Sequence, residues 1–379
     1  MKQIGKYLTL ISCFFLLFSC KQEKKTTPSD EIKPDEHNYY CPEYSNPTNV
    51  YTVDGRPFTL EVADPSIVKG DDGLFYCFAT DRRTFVSEDG VEFYDIGYEI
   101  INWPTWQEKV IPDAQYYMWA PDVIKIGENW IYYYSFGTNG KGSPGIGYGV
   151  ASTCAGPYVD QGPLFTYKDI DDVNGVIDPQ VFYDEDGELH MVYGSFHGIY
   201  IVDLEDDGMS LKEGKDGKGN KTLIAGKRNV FDLSTYEGSY IIYKDGYYYY
   251  FGSVGTCCDG KNSTYTVYVA RSENVKGPYV GIDNKPLTLA GGGTSLGNIV
   301  LYAKPSFRDT VVGPGHNSIY KDDRGDYWIY YHAFSVKDNF RTRHLFIDKL
   351  IWDKNGYPYV DDFTPTYNEI IEGPAQRID

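Results

Sequence analysis

One pattern returns five times along this chain, and it constrains the fold more than anything else in the sequence. A small or polar residue is followed by an apolar strand-like run, a turn rich in Gly, Asp or Asn, and an aromatic strand-like run. The copies are "ADPSIVKGDDGLFYCFATD" from Ala63, "APDVIKIGENWIYYYSF" from Ala120 and "DPQVFYDEDGELHMVYGSF" from Asp178. Two more are "EGSYIIYKDGYYYYFGS" from Glu237 and "HNSIYKDDRGDYWIYYHA" from His316. Each reads as a β-hairpin turning at "GDDG", "GEN", "DEDG", "KDG" or "DDRGD". The apolar runs begin near Ile67, Val123, Val181, Ile241 and Ile319, roughly sixty residues apart until a longer last interval. A hairpin fills only part of that span, so each unit has room for two more strands. The "GPYV" found at both 156–159 and 277–280 supplies part of the remainder. Five units of four strands predict an all-β chain folded as a five-bladed β-propeller. A sandwich or jelly roll would be as rich in strands but would not repeat five times. The run "RHLFIDKLIWDKNGYPYV" at 343–360 is expected to complete the last blade or to close the ring with the N-terminal segment.

Composition narrows the partners. The 37 Tyr and 40 Gly suit strands joined by tight turns. A net charge of −19 repels phosphate backbones and acidic polysaccharides such as polygalacturonate, so nucleic acid is excluded and a neutral ligand is expected. Residues 1–19 read as a signal segment, with Lys2 and Lys6 ahead of an apolar stretch too short to span a bilayer. That stretch ends in "LFSC", which resembles a bacterial lipoprotein box with Cys20 as the lipidated residue. A polar tether over 20–40 and a catalytic domain over 41–379 follow. The chain is thus expected to act as a monomer outside the cytoplasm, at the outer membrane on its periplasmic or cell-surface face, touching membrane only through its lipid.

Cys41, Cys77, Cys154, Cys257 and Cys258 remain after processing, an odd number that leaves a thiol unpaired. No CxxC spacing suggests a metal. Cys257 and Cys258 are expected to face opposite sides of a strand, and buried packing is the expected role of most of the five.

In a propeller the first strand of each blade lines the axis, so equivalent positions converge. The residues heading the five hairpins are Asp64, Ala120, Asp178, Glu237 and His316. Asp64 and Asp178 each precede proline, which predicts a fixed, extended backbone. Three carboxylates gathered at one point raise the pKa of at least one, giving a proton donor beside an ionised base. Glycosidic hydrolysis needs that pair. A calcium cage is the other use of clustered carboxylates, but such cages draw on one compact loop.

With these residues identified, the chain resembles glycoside hydrolase family 43, and within it the endo-1,5-α-L-arabinanases, over residues 61–360. The likeness rests on "DPSIV", "MWAPDV", "IDPQVF", "EGSYII", "GPGHNS", "DYWIYYHA" and a stretch of "CC-G-NSTY" form at 257–265. The resemblance implies inverting cleavage of a neutral arabinan-type polysaccharide. Asp64 would be the general base, Glu237 the general acid, and Asp178 the carboxylate that raises and orients the acid. It also implies one calcium ion near His316, held largely through water, with Trp119, Asn317 and Ser318 contacting sugar. Two departures stand out: Ala63 replaces a histidine common before the base, and Glu237-Gly238-Ser239 replaces a motif ending in proline. The alternative readings are an exo-acting α-L-arabinofuranosidase or β-xylosidase, and a non-catalytic glycan-binding lipoprotein.

Overall fold

The computed structural model describes residues 37–97, 100–172, 175–213 and 220–379. The signal segment, Cys20 and most of the expected tether lie outside those residues. Five antiparallel sheets follow in chain order, each built from consecutive strands. Blade 1 comprises Ser66–Lys69, Phe75–Ala79, Arg83–Ser87 and Phe93–Gly97, with Val50–Thr52 added in parallel on its outer edge. Blade 2 comprises Tyr116–Ile126, Asn129–Thr138, Gly145–Ala151 and Val159–Thr166. Blade 3 is Gln180–Tyr183, Leu189–Tyr193, Ile199–Asp203 and Thr222–Ala225. Blade 4 is Glu237–Lys244, Tyr247–Val254, Thr266–Ser272 and Asn298–Tyr302. Blade 5 is Val311–Lys321, Tyr327–Ser335, Arg343–Trp352 and Pro358–Val360. The five-bladed propeller expected from the repeat is what the chain forms, and 343–360 completes blade 5.

The turns do what their residues allow. In blade 4 the strands join through Asp245 and Gly246, with φ of 50° and 85°. A pair of left-handed residues in a two-residue turn matches the twist of the flanking strands. The two "GPY" copies fold alike: Tyr158 and Tyr279 are buried, and each hydroxyl donates to the carbonyl four residues earlier, Cys154 and Val275.

The core is divided among the five blade interfaces. Phe78, Tyr132 and Tyr158 pack between blades 1 and 2, Phe165 and Tyr193 between 2 and 3, and Tyr236, Tyr250 and Tyr279 between 3 and 4. Phe251, Tyr331 and Phe346 fill the 4–5 interface, and Phe75, Tyr330 and Ile347 the 5–1 interface. Tyrosine suits this architecture because its ring fills a gap between two sheets while its hydroxyl finds an acceptor.

A polar ring runs inside these cores. A polar side chain follows each head position, two places on in four blades and three in blade 4: Ser66, Asp122, Gln180, Tyr240 and Ser318. Each binds the backbone of the next blade's first strand. Ser66 Oγ accepts Val123 N–H at 3.4 Å, Asp122 accepts Val181 N–H at 2.8 Å, and Gln180 Oε1 accepts Ile241 N–H at 3.0 Å. Tyr240 donates to Ile319 O at 3.4 Å, and Ser318 Oγ accepts Ile67 N–H at 3.0 Å, closing the circle. Inner strands can pair only outward into their own blade, so side chains satisfy the groups that face the neighbour.

The ring closes between blades 5 and 1 without sharing a strand. Asn46 grips Ile347 by both backbone groups, at 2.6 and 2.9 Å, and donates to Thr366 at 2.7 Å. Tyr39–Tyr40 pairs with Gln376–Arg377, and Glu43–Tyr44 with Ile371–Glu372. Tyr39 and Tyr40 of the expected tether therefore belong to the folded body.

The cysteines correct one expectation. Cys77 and Cys154 are buried thiols, as packing residues, and the Cys41 thiol accepts a hydrogen bond from Arg324 at 3.2 Å. Cys257 and Cys258 do not lie on a strand but in the loop after Val254, and they are bonded to each other.

Candidate active site

Four of the five heads share an unusual backbone. Asp64, Ala120, Asp178 and His316 have φ of 56°, 36°, 55° and 49°. The fourth blade supplies Gly238, at 56°, rather than Glu237. Glu237 therefore stands one residue earlier than the repeat suggested, at the place Trp119 takes in blade 2. The extended conformation expected at Asp64 and Asp178 is also corrected. Proline excludes the right-handed helical region for the residue before it, and here the left-handed one is used instead. For a residue with a Cβ this costs about 1–2 kcal/mol, so its recurrence around one axis needs an external hold.

That hold is a second ring of side chains, from the end of each blade's second strand. Thr80 Oγ1 accepts the Ala120 N–H at 3.0 Å, and Ser135 Oγ accepts Asp178 N–H at 3.4 Å. Ser253 Oγ accepts His316 N–H at 2.8 Å, and His332 Nδ1 accepts Asp64 N–H at 3.1 Å. In blade 3 the matching residue is Gly194, which has no side chain. The Gly238 N–H goes to Asp178 Oδ2 instead, at 3.1 Å. The gap thus turns the Asp178 carboxylate toward blade 4, where Glu237 stands.

The three expected carboxylates meet here, in unlike surroundings. Thr80 donates to Asp64 Oδ2 at 2.5 Å, while His332, His316 and Arg343 bring nitrogens to 3.2, 3.3 and 3.6 Å of Oδ1. Burial alone would raise the Asp64 pKa, but His316, Arg343 and His332 outweigh it and hold the carboxyl well below the usual range. Burial pushes Asp178 up to about 6, with the charge of Asp64 adding to it and His316 opposing. Glu237 is raised well above the ordinary value, by burial first and then by the charges of Asp178 and Asp64. Its oxygens accept from Ser195 at 2.7 Å and from Tyr265. The pit therefore holds an ionised carboxylate and a protonated carboxyl side by side near neutral pH.

The sequence falls with known proteins of one kind. The model for glycosyl hydrolases family 43 matches residues 56–358. The chain belongs to glycosyl hydrolase family 43. Among its family 43 relatives, an extracellular exo-α-(1→5)-L-arabinofuranosidase of Cellvibrio japonicus is 32% identical over 80% of this chain and 87% of its own. An extracellular endo-α-(1→5)-L-arabinanase of Thermotoga petrophila is 29% identical, over 84% of this chain and 74% of its own. The solved α-L-arabinanase of Cellvibrio cellulosa in complex with arabinohexaose superposes with a TM-score of 0.67 at 29% identity, covering 80% of this chain and 96% of that one.

Around this family 43 pit the remaining expected residues divide. Trp119 is 36% exposed, and its indole lies against Gly137, where an added Cβ would stand 2.1 Å from the ring. Asn317 is buried, and both its side-chain atoms lack a partner among the described residues. Ser318 is buried too, with its hydroxyl engaged by Ile67 in the interblade ring. His316 reaches Asp64 through Nδ1. Among the described residues no group of three or more His, Cys, Asp or Glu is placed to hold a metal ion. Asp64 Oδ1, the nearest carboxylate oxygen to His316, is already faced by three nitrogens. These residues do not fit a directly coordinated calcium.

Other contributors went unrecognised in the sequence. Thr80 and His332 end two of the repeat copies at matched places, so their signal was present. Arg343, which holds Glu61 at 2.7 and 2.8 Å while facing Asp64, stands outside the hairpin repeat. Ser195 lies near the end of the third repeat copy and Tyr265 at the end of the 257–265 stretch, both in loops where strand register does not say which way a side chain points.

Proposed function

We propose that this family 43 enzyme hydrolyses α-1,5-linked L-arabinan with inversion, cutting within the chain. The carrying observation is the opposed state of Asp64 and Glu237 in one pit. Asp64, ionised, takes a proton from a water as that water attacks the anomeric carbon. Glu237 gives its proton to the departing glycosidic oxygen on the other face, so the bond breaks with inverted configuration. Asp178 keeps Glu237 protonated until that moment, and Trp119 offers its indole face to a sugar ring. No step is assigned to calcium.

The names of the Thermotoga and Cellvibrio relatives support the arabinan reading. Exo action is the second reading, supported by the name of the 32% identical relative. Early products from linear arabinan separate the two: oligomers of mixed length support cutting within the chain, single sugars overturn it. NMR of the first-formed product checks inversion, and a retained anomer overturns the roles of Asp64 and Glu237. The extracellular relatives support action outside the cytoplasm. Anchoring at Cys20 predicts that Cys20→Ser moves the enzyme from the membrane to the soluble fraction. The protein is read as a monomer.

A further inference from the structure

One large aromatic side chain stays mostly in solvent although it is packed on a buried ring. Phe231, in the connection from blade 3 to blade 4, is 60% exposed. Its ring stands edge-on to Phe196 at 5.9 Å and tilted against His197 at 5.3 Å. Phe196 is buried, with φ of 45°. The two loops are laced together: Asp232 N–H donates to Phe196 O at 2.9 Å, Asn229 N–H to His197 O at 2.8 Å, and Phe196 N–H to Tyr236 O at 2.8 Å. Asp232 also accepts the backbone N–H of Ser234 at 2.9 Å. The ring of Phe231 is therefore presented outward from a pinned loop.

Two links place this surface. The residue before Phe196 is Ser195, whose hydroxyl holds Glu237. The exposed side chains of Val230 and Leu233 extend the patch along the same connection. In a ring of five blades the link between blades 3 and 4 lies across the axis from blade 1, which carries Asp64. Water enters an inverting displacement from the base side, and the leaving oxygen departs toward the acid. The patch accordingly lies where the released part of the substrate chain must run. Aromatic rings bind sugars through the C–H groups of the ring face, and Phe231 is linked to the pit through Phe196 and its neighbour Ser195.

We propose that Phe231, seated on Phe196 and His197, is a sugar-stacking residue on the leaving-group side, which makes turnover depend on chain length beyond the cleaved bond. This rests on the glycosidase reading above. The test compares the parent, Phe231→Ala and Phe231→Trp on α-1,5-linked arabinobiose, arabinohexaose and linear arabinan, with melting temperatures recorded for all three. In Phe231→Ala the KM for the hexasaccharide should rise about threefold to tenfold, with less than about a twofold rise for the disaccharide. Phe231→Trp should restore it, and the bond cut in the hexasaccharide should shift in the alanine variant. Equal KM and equal products in parent and Phe231→Ala overturn the placement, as does an equal rise for both substrates. A parent that cleaves no arabinan overturns the arabinan reading and this inference together, whereas an active parent with an indifferent Phe231→Ala overturns this inference alone.

Discussion

Asp178 sits between Asp64, which its neighbours hold ionised, and Glu237, whose pKa the Asp178 charge helps to raise. Its oxygen receives the Gly238 N–H, and its charge is the second cause, after burial, of the raised Glu237 pKa. Removing that charge in Asp178→Asn should move the alkaline limb of the kcat/KM profile to lower pH, because Glu237 would then lose its proton earlier. The acid limb, set by Asp64 well below the usual carboxylate range, should stay where it is. An unmoved alkaline limb would show that Asp178 does not tune the acid. Glu237→Gln should lower kcat by about a hundredfold to ten-thousandfold while the variant still binds arabinan in calorimetry. At this scale the sequence was legible for the carboxylates, whose chemistry shows in their letters. It was misleading for Asp64 and Asp178, where proline pointed to extended backbone and the caps from neighbouring blades selected the left-handed one.

The elements that hold these residues can be tested separately. In blade 2 the second strand carries Gly137 so that the Trp119 indole can lie on it. Gly137→Ala should push the indole off and raise KM about tenfold, as should Trp119→Ala. The double variant should be no worse than either single one, since both remove the same contact. Additive losses would mean that Gly137 matters for another reason. Between blades, Asp122 accepts both Ser66 Oγ–H and Val181 N–H. Asp122→Ala leaves two buried donors without an acceptor and should cost about 2–4 kcal/mol in urea unfolding, whereas a change near zero would show that the polar ring is ornamental. Asp122 stands in the repeat as a polar letter two places after its head, but that offset acquires meaning only once neighbouring strands are known to face each other.

The whole ring depends on its one non-covalent seam. Asn46 binds Ile347 through two buried hydrogen bonds and Thr366 through a partly buried one, and Asp348 beside it accepts from Tyr331 and Thr366. Burial pushes Asp348 up to about 7 and Asp122 to about 6. With folded pKa values above the unfolded ones, both groups contribute stability that is fully present below the ordinary carboxylate range and lost as pH rises through those values. Asp348→Asn should therefore flatten the fall in melting temperature between about pH 4 and about pH 7, and an unchanged slope would remove Asp348 from that account. The sequence by itself determined the number of blades, the hairpin turns and the three carboxylates, because hydrophobic period, turn chemistry and charge are local properties that each repeat states afresh. Only the tertiary structure decided that Glu237 stands one residue out of register, that Gly194 leaves the gap which aims Asp178, and that Arg343 joins His316 in holding Asp64 ionised. Those facts depend on which blade faces which across the axis, and residues hundreds of positions apart do not announce that neighbourhood in the chain.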